Sequence, residues 1–548
     1  MRGVQENMAP SANVCDFLTC LESYGEADAI TSKYNGSWRK HSYVELVQTI
    51  HTLSSKLSDE YVNRTNMVVV GDNSYEWIVA FLAITLSGNT AVPIDKELAD
   101  SEILRQIGSS GCKTLFYSSS ICDLIEQNHE LLSHVRNIVR LDDSEKKLPT
   151  PHFVSFYDYI GKQEKRFDYE RHIIADDIAS LIVFTSGTTE AAKGVMLSEK
   201  NVFSAVNSAL EYITASGTGI SVLPLNHTYG LSCTMVMLKL KMHIILNDKV
   251  KNFAKNTKEF KPTTIVLVPI YVEKIFKSIT TKLKQEKKLS LVTRMIGISN
   301  FLRRLKIDVR RKLFKQIIAQ FGGELELMVC GGAPLYTEYV EFFHAIGINL
   351  TNGYGITECA PFVSVNPIGK TKYGSVGSVL SCCQVHIQKE SEGNDGEIWV
   401  SGDNVMIGYF NDPERTKNAM DGDWFKTGDL GRLDKDGYLY ISGRSKNTIV
   451  LKNGKNVQPE EIEEKIKRNP LVEEVVVYCS GNDVISLEYY SPSGEIIDIK
   501  NLIESVNREL PLYAQIGNVS FRSSPFAKTA TQKIKRDQIN FQGGQQGD

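Results

Sequence analysis

Short runs of apolar, often β-branched residues alternate with stretches of helical spacing through the first two thirds of the chain. Such runs are typical of strands that are buried on both faces, and their alternation with helices indicates parallel sheets. The predicted strands are Met67–Val70, Ile178–Thr185, Ile220–Leu223, Thr264–Val268 and Leu325–Cys330, and the predicted helices include Glu76–Leu86 and Lys200–Ile213. The pattern therefore predicts a large α/β body.

The pattern changes at about Gly374, where short strands are separated by turns rich in Gly and Asp. Three of these strands are Gln384–Lys389, Glu397–Gly402 and Tyr438–Ser442. Because helices are scarce here, we predict that residues 374–443 form a small β-barrel-like subdomain of an N-terminal domain that spans residues 1–443.

After Gly443 the pattern changes again. Pro459 is expected to begin a helix with acidic residues in its first turns, where their negative charges interact favourably with the positive end of the helix dipole. Strands at Glu473–Cys479 and Val484–Tyr490 and a helix near Ile499–Glu509 follow. The sequence thus predicts a smaller α+β C-terminal domain over residues 444–540, with the boundary at about 443–447 and a disordered tail at 541–548.

Composition excludes several classes of protein. The 548 residues are 42% hydrophobic and 23% charged, and the net charge is −3, so neither a disordered chain nor a general affinity for nucleic acid is expected. Ten cysteines without a CxxC pair indicate reduced thiols rather than disulfides or zinc. The longest nearly apolar run, Trp77–Leu86, is too short to span a membrane. We therefore expect a soluble, cytoplasmic protein.

The first chemical signal is the loop that follows the predicted strand ending at Thr185. It combines hydroxyl groups, a glycine and a lysine, which together suit an anion: Thr185, Ser186, Gly187, Thr188, Thr189 and Lys193. The spacing GxxxxGK[ST] of a P-loop is absent. Taken alone, the segment is either a phosphate-binding loop or a Ser/Thr-rich surface turn.

The segment TSGTTEAAKG resembles the signature loop of AMP-forming adenylating enzymes. Further segments resemble motifs of that superfamily in the same order: Gly331-Gly332-Ala333-Pro334, Asn352-Gly353-Tyr354-Gly355-Ile356-Thr357-Glu358, Trp424–Leu430 and Gly443–Lys446. Others resemble fatty acyl-CoA synthetases in particular, among them Asn73–Trp77 and Ala91–Asp95. The chain is therefore similar to AMP-forming acyl-CoA synthetases of the fatty acid–CoA ligase type, which implies doubly wound αβα subdomains and a mobile C-terminal lid.

The resemblance also implies roles for individual residues. Tyr354 would stack on adenine beside Gly331–Pro334, Thr357 would hold the α-phosphate, and Glu358 would ligate Mg²⁺. Asp429 would accept the ribose hydroxyls, and Arg444 would lie near them. Asn352, Gly353 and Gly355 complete the nucleotide-binding set, and Thr185 belongs to the catalytic set as well.

In the C-terminal domain the resemblance implies a hinge at Lys446, a thiol-tunnel loop around Gly454, and an adenylation lysine at Lys533. That lysine would bridge the substrate carboxylate and the α-phosphate. The chain departs from the family pattern at Glu190, Ala192 and Gln532, which replace a glycine, a proline and a glycine.

The implied activity is formation of an acyl-AMP from ATP and a medium- or long-chain fatty acid, followed by transfer to CoA, with Mg²⁺ as the cation. His227, in a segment similar to the family's LPLxHxxG, would lie at the carboxylate end of the acyl pocket, or is a packed histidine. Two other functions remain open: loading of the phosphopantetheine of an acyl carrier protein, and a catalytically silent nucleotide-binding regulator.

One segment, Lys274–Lys315, is strongly basic, with 14 Lys or Arg against Glu286 and Asp308, a local charge of +12. Leu302, Leu305, Val309, Leu313 and Ile317 recur at helical spacing, which predicts an apolar stripe opposite a basic face. The expectations are peripheral contact with an anionic membrane, docking of CoA or a carrier protein, or a solvated face over a buried stripe.

Overall fold

The structure is a computed structural model that describes residues 9–142, 153–172, 174–185, 192–389, 395–451, 455–469, 471–480, 484–493, 499–528, 534–536 and 539. The chain forms two compact units. The first contains the residues up to Thr185, Ala192–Gln384 and Ser401–Asn418, and the second contains Val385–Val400 and the residues from Ala419 onward. Within the described ranges, no helix is both long and apolar enough to cross a membrane.

The strands of the α/β region are β1 Asp28–Tyr34, β2 Ser37–Ser42, β3 Asn66–Val70, β4 Thr90–Ile94, β5 Thr114–Tyr117, β6 Asn137–Arg140, β7 Phe153–Ser155, β8 Leu181–Thr185, β9 Lys193–Leu197, β10 Thr218–Ser221, β11 His243–Leu246, β12 Thr264–Leu267, β13 Leu327–Cys330, β14 Asn349–Gly355, β15 Phe362–Val365 and β16 Ser378–Val379. The later strands are β17 Cys383–Gln388, β18 Gly396–Gly402, β19 Gly408–Tyr409, β20 Met420–Asp421, β21 Trp424–Leu433, β22 Leu439–Arg444, β23 Ile449–Val450, β24 Asn456–Val457, β25 Glu474–Ser480, β26 Val484–Tyr490 and β27 Ile516–Arg522.

The helices are α1 Val14–Glu22, α2 Tyr43–Glu60, α3 Tyr75–Leu86, α4 Asp100–Ser110, α5 Cys122–Gln127, α6 Phe156–Ile160, α7 Glu199–Leu210, α8 Thr228–Lys239, α9 Phe253–Phe260, α10 Pro269–Gln285, α11 Leu289–Arg304, α12 Arg310–Leu313, α13 Lys315–Ile318, α14 Thr337–Ile346, α15 Pro413–Ala419, α16 Pro459–Lys467 and α17 Lys500–Glu509. Local sequence explains several of their starts. Ser42 and Ser198 form capping boxes at α2 and α7, and Pro269 and Pro459 open α10 and α16.

Two sheets dominate the first unit. A nine-stranded sheet has the order β16-β15-β14-β13-β12-β10-β11-β1-β2, and an eight-stranded sheet has the order β19-β9-β8-β4-β3-β5-β6-β7. The central strands pair in parallel. Antiparallel pairs lie at both edges of the nine-stranded sheet and at the β19 edge of the eight-stranded sheet, whose other edge is the parallel pair of β6 and β7. The chain leaves β10 for β11 on one side and later places β12 on its other side. The α/β body with largely parallel, doubly wound sheets is therefore confirmed.

The second unit contains smaller sheets. Strands β17, β18, β20, β21 and β22 form a five-stranded sheet in which β21 pairs antiparallel with β18, β20 and β22. Farther along, β25, β26 and β27 form a three-stranded sheet, and Ile462, Ile466, Ile503 and Val506 of α16 and α17 belong to the same buried cluster as its side chains. These segments have the secondary structure that the sequence predicted, a β-rich part followed by an α+β part.

The basic segment differs from its prediction. Instead of one amphipathic helix through 302–317, α11 ends at Arg304, and two single-turn helices, α12 and α13, follow. Ile317 is buried, whereas Leu305 and Leu313 are exposed. The predicted apolar stripe at helical spacing was wrong because the chain turns after Leu305, which breaks the 3.6-residue periodicity assumed for it.

Candidate active site

The predicted nucleotide motifs of the first unit lie at one edge of the nine-stranded sheet. Gly331 follows β13, Tyr354 lies near the end of β14, and the segment containing His227 follows β10. Carboxyl ends of parallel strands share an edge, and ligands bind there where the strand order reverses, as it does beside β10. The fold therefore brings these motif residues together.

A cavity of about 800 Å³, including its opening, begins at these motifs. Its lining is mostly apolar and combines β12, β13, β14 and α8 with the end of α7: Ala209, Ile213, Ala215, Tyr229, Cys233, Val236, Met237, Leu240, Val266, Val329, Gly331, Tyr354 and Phe362 are among its residues. Such a lining suits an alkyl chain rather than a charged group.

Two glycines of the motifs lie in close packing, which is tight at Gly331 and excludes any side chain at Gly355. A Cβ on Gly331 would lie 3.1 Å from the ring of Tyr229, and a Cβ on Gly355 would lie 1.6 Å from the carbonyl oxygen of Pro361. The Tyr229 hydroxyl lies 3.3 Å from the carbonyl oxygen of Val329. Side chains at either glycine would push these walls apart, so the sequence motif here is also a packing requirement.

Glu358 is the best-defined polar group of the site. It is buried in the turn after β14, and its Oε1 accepts a hydrogen bond of 2.9 Å from the hydroxyl of Tyr409. Burial and the carboxylate of Glu358 raise the pKa of Tyr409 above its ordinary value, so this hydroxyl remains a donor. The Nζ of Lys193 lies 5.5 Å from the centre of the Tyr409 ring. One tyrosine thus connects the signature loop to Glu358.

The tyrosine is positioned by strand pairing. Tyr409 lies in β19, which pairs with β9 directly after Lys193, and its backbone N–H donates to the hydroxyl of Thr416 at 2.8 Å. Sequence reasoning missed Tyr409 because a Gly-Tyr pair in a loop carries no chemical signature by itself. Tyr409 could have been found only from the pairing of β19 with β9, which brings it next to Glu358.

Two other predicted residues have defined neighbours. The side chain of Asn352 donates to the carbonyl of Ser375 at 3.1 Å and accepts from Asn366 at 2.8 Å, so its amide fastens the loop behind β14. The Nε2 of His227 lies 3.8 Å from a carboxylate oxygen of Asp95, at the end of β4. Nearby, Asn73 donates to the carbonyl of Leu223 at 2.7 Å and connects the two sheets at this edge.

In the second unit, Asp429 and Arg444 are cross-strand partners on β21 and β22. Their side chains form an ion pair of 3.0 Å in which Asp429 is nearly buried and Arg444 is partly exposed. A buried carboxylate beside a cation is suited to accept hydrogen bonds from a diol. Lys446 lies in a single 3₁₀ turn, Ser445–Asn447, directly after β22.

Thr185 and Lys193 face each other as the last and first residues of β8 and β9. Gly332, Ala333 and Pro334 lie in the turn after β13, Gly353 lies within β14, and Thr357 lies in the turn after β14. Several predicted residues fall outside the described part of the chain: Ser186, Gly187, Thr188, Thr189, Glu190, Gly454, Gln532, Lys533 and the tail 541–548.

A protein-family model described as AMP-binding enzyme matches residues 18–410, about seven tenths of the chain. The chain belongs to the AMP-binding enzyme family. The model of that family's C-terminal domain matches residues 446–542. The predicted membership in the adenylate-forming acyl-CoA synthetase superfamily is thereby confirmed, and so is the assignment as an enzyme.

Several curated relatives of this family member are named long-chain-fatty-acid–CoA ligases. FadD15 of Mycobacterium bovis is 27% identical over 465 residues, which cover 81% of this chain and 76% of the relative. Ligase 5 of Rattus norvegicus is 27% identical over 441 residues, which cover 75% and 64%.

Solved structures show the same fold. ATP-bound MatB of Rhodopseudomonas palustris aligns with a TM-score of 0.76 and 24% identity over 96% of this chain and 97% of that one. The o-succinylbenzoate CoA synthetase of Bacillus subtilis, in complex with its acyl-adenylate, aligns with a TM-score of 0.74 and 22% identity over 98% and 100%.

Glu358 fits the metal expected at such a site. Mg²⁺ is commonly bound by one or two protein carboxylates together with substrate phosphates, rather than by a complete protein cage. The described residues contain no cluster of three or more His, Cys, Asp or Glu able to hold a metal ion. One oxygen of Glu358 is oriented by the hydroxyl of Tyr409.

Proposed function

We propose that this enzyme activates a medium- or long-chain fatty acid with ATP and transfers the acyl group to CoA. The observation that carries the substrate class is the apolar cavity that extends from Tyr354 and Gly331 along α8. From Tyr229 to Leu240 the lining spans about 16 Å of helix, which accommodates an extended alkyl chain with its carboxylate at the motif end. The names of the curated relatives support the same substrate class.

The proposed chemistry has two steps. In the first, a carboxylate oxygen attacks the α-phosphorus of ATP, the bond to the β-phosphate breaks, and pyrophosphate leaves with the bridging oxygen. In the second, the thiol of CoA loses its proton and attacks the acyl carbon, and AMP leaves. The protein mainly positions these groups and compensates their negative charges.

Each proposed role uses chemistry suited to the side chain. Tyr354 offers a ring for adenine, Thr357 a hydroxyl for the α-phosphate, and Asp429 a carboxylate for the ribose diol. Glu358 supplies a hard oxygen ligand for Mg²⁺, and Lys193 is the cation of the signature loop. Lys533 is proposed to offset the repulsion between the substrate carboxylate and ATP.

One assay tests the substrate and the acceptor together. Pyrophosphate release is measured with carboxylic acids of two to twenty carbons, each with and without CoA. We expect release that depends on the acid, a maximum at medium or long chains, and acyl-CoA formation when CoA is present.

The other functions give different results in this assay. Release that never exceeds the background without acid would identify a silent regulator. Acyl-AMP that forms but does not react with CoA would point to a carrier-protein phosphopantetheine as the acceptor, and the proposal of CoA would fail.

A further inference from the structure

Helix α11 has apolar residues on two faces. The inner residue Val292 is buried in the core cluster of the nine-stranded sheet, and Met295 and Ile296 pack against that cluster. The outer residues Leu291, Ile298, Phe301 and Leu305 are 55%, 59%, 61% and 58% exposed. Inner contacts therefore hold the helix to the protein, and they leave the second apolar stripe in solvent.

The outer residues form a continuous surface. Leu291, Arg294, Ile298, Phe301 and Leu305 follow each other at alternating spacings of three and four, which places them within about 80° of the helix circumference. We call these five positions the outer face of α11. Ile307, in the turn that follows, extends the surface and is 50% exposed. Contiguous exposed apolar side chains of this kind mark interaction sites rather than ordinary surface.

The surroundings of the outer face are cationic. Arg294 lies within it, and exposed Arg303, Arg304 and Lys306 follow at its end. The two acids of the segment are already neutralised locally, since Asp308 is bound by Arg310 at 2.6 Å and Glu286 by Lys288 at 2.8 Å. The charge that reaches an approaching partner is therefore strongly positive.

We propose that the outer face of α11 docks on an anionic lipid bilayer. Exposed Leu, Ile and Phe side chains between Arg and Lys are suited to the boundary of acyl chains and charged headgroups, where apolar burial and electrostatic attraction act together. A nucleic acid would match the charge but not the aliphatic stripe, and an apolar protein partner would match the stripe but not the charge. An anionic bilayer matches both the positive charge and the apolar stripe. It is also the phase in which the substrate of the proposed function dissolves.

Co-sedimentation with extruded vesicles tests this inference with the full-length protein. One vesicle preparation contains phosphatidylcholine with 30% phosphatidylglycerol and the other contains phosphatidylcholine alone. We expect binding to the anionic vesicles at low salt, weaker binding at 0.5 M NaCl, and little binding to the neutral vesicles.

Two variants separate the two contributions. In the first, Leu291, Ile298, Phe301 and Leu305 are all changed to Ser, and in the second, Arg294, Arg304 and Lys306 are changed to Glu. Each cation near an anionic surface contributes about fivefold to binding, so we expect at least a hundredfold loss in the charge variant. The apolar variant is expected to lose at least tenfold. The control is Val62→Ser with Leu131→Ser, at residues that are 95% and 65% exposed elsewhere on the same unit, and it should bind like the wild type.

The outcomes are decisive. Wild-type protein that does not bind anionic vesicles overturns the inference, and so does an apolar variant that binds as tightly as the wild type. If sedimentation velocity shows a wild-type dimer that the apolar variant lacks, without vesicle binding, the outer face is a contact between copies and the inference fails. Vesicle binding requires no catalysis, so its failure leaves the pyrophosphate assay with soluble acids, and hence the proposed function, untouched.

Discussion

At the scale of single residues, the hydrogen bond from Tyr409 to Glu358 can be tested directly. The Tyr409 hydroxyl orients one oxygen of the buried Glu358, and hydrogen bonds to charged groups contribute about 1.5–3 kcal/mol. For Tyr409→Phe we expect a ten- to hundredfold fall in kcat/KM for the adenylation step. We also expect the Mg²⁺ concentration for half-maximal activity to rise several-fold, because the carboxylate loses its fixed orientation.

Tyr157→Phe is the matched control. Tyr157 donates a hydrogen bond of 2.8 Å to another buried carboxylate, Glu76, in the same unit. Both variants remove one hydrogen bond to a buried carboxylate, so both should lower the thermal midpoint by similar amounts. Only Tyr409→Phe should change the Mg²⁺ dependence; an equal change in both would reduce Tyr409 to a purely structural residue.

The pH dependence of stability should depend on His344. Burial lowers the pKa of this imidazole to about 4, while its Nε2 lies 3.1 Å from the carbonyl oxygen of Leu350. Below about pH 6.5 this imidazole binds a proton in the unfolded chain but not in the folded protein. The free energy of unfolding therefore falls as the pH falls from 6.5 to 4. After allowance for the partial exposure of the ring, the loss is about 2 kcal/mol.

His344→Gln tests this assignment, because glutamine can still donate to the Leu350 carbonyl but does not titrate. Thermal midpoints are measured by circular dichroism at pH 7.5, 6 and 4.5. We expect the variant to be less stable at pH 7.5 and the difference from the wild type to shrink toward pH 4.5. A difference that stays constant over this range would contradict the assignment.

At the scale of elements, each strand that local patterns predicted overlaps a strand of the structure, because a buried strand is a short apolar run whatever its neighbours are. Thr264–Val268, for example, became β12 with a difference of one residue at its end. What failed was longer-range geometry. The pairing of β19 with β9, which places Tyr409 on Glu358, depends on residues more than 200 positions apart and has no local signal.

At the same scale, the apolar cavity along α8, which we propose as the acyl site, has a direct test. Cavity residues run from Tyr229 at the motif end of α8 to Leu240, the residue directly after that helix. Ala215 also lines the cavity and precedes β10, at the opposite end of the strands from the motifs. Ala215→Phe should fill the far end and leave the motif end unchanged. At about 0.8 kcal/mol for each buried methylene, lost room for two methylenes lowers kcat/KM for long acids more than tenfold relative to short ones.

Thr214→Phe is the control for this variant. Thr214 is exposed, is the neighbour of Ala215, and does not line the cavity. It should leave the ratio of kcat/KM between long and short acids unchanged. If Ala215→Phe lowered activity on all acids equally, the cavity would not be the acyl site.

At the scale of the whole molecule, the candidate residues are divided between the two units. Tyr354, Thr357 and Glu358 belong to the first, whereas Asp429, Arg444 and Lys446 belong to the second. The sequence predicted a boundary at about residues 443–447, which would put Asp429 in the N-terminal domain, so this division was not predicted. Only the family resemblance singles out Lys446, because isolated lysines look like ordinary solvated residues. The proposed roles of Lys533 and Lys446 belong to different half-reactions, so variants of the two lysines can be told apart by experiment.

Lys533→Ala should abolish formation of acyl-AMP, since the cation proposed to offset carboxylate–phosphate repulsion is removed, but it should spare thioester formation from supplied acyl-AMP.

Lys446→Pro should do the opposite, because proline fixes φ at the residue proposed as the hinge. The control is Lys435→Pro, since Lys435 follows Asp434 in the turn between β21 and β22, where the Gly437 N–H donates to the Asp434 carbonyl and proline is favoured. Pyrophosphate release reports the first half-reaction, and acyl-CoA formation from synthetic acyl-AMP reports the second. Loss of both half-reactions in Lys446→Pro, with both retained in Lys435→Pro, would show that residue 446 serves folding or binding and is not a hinge.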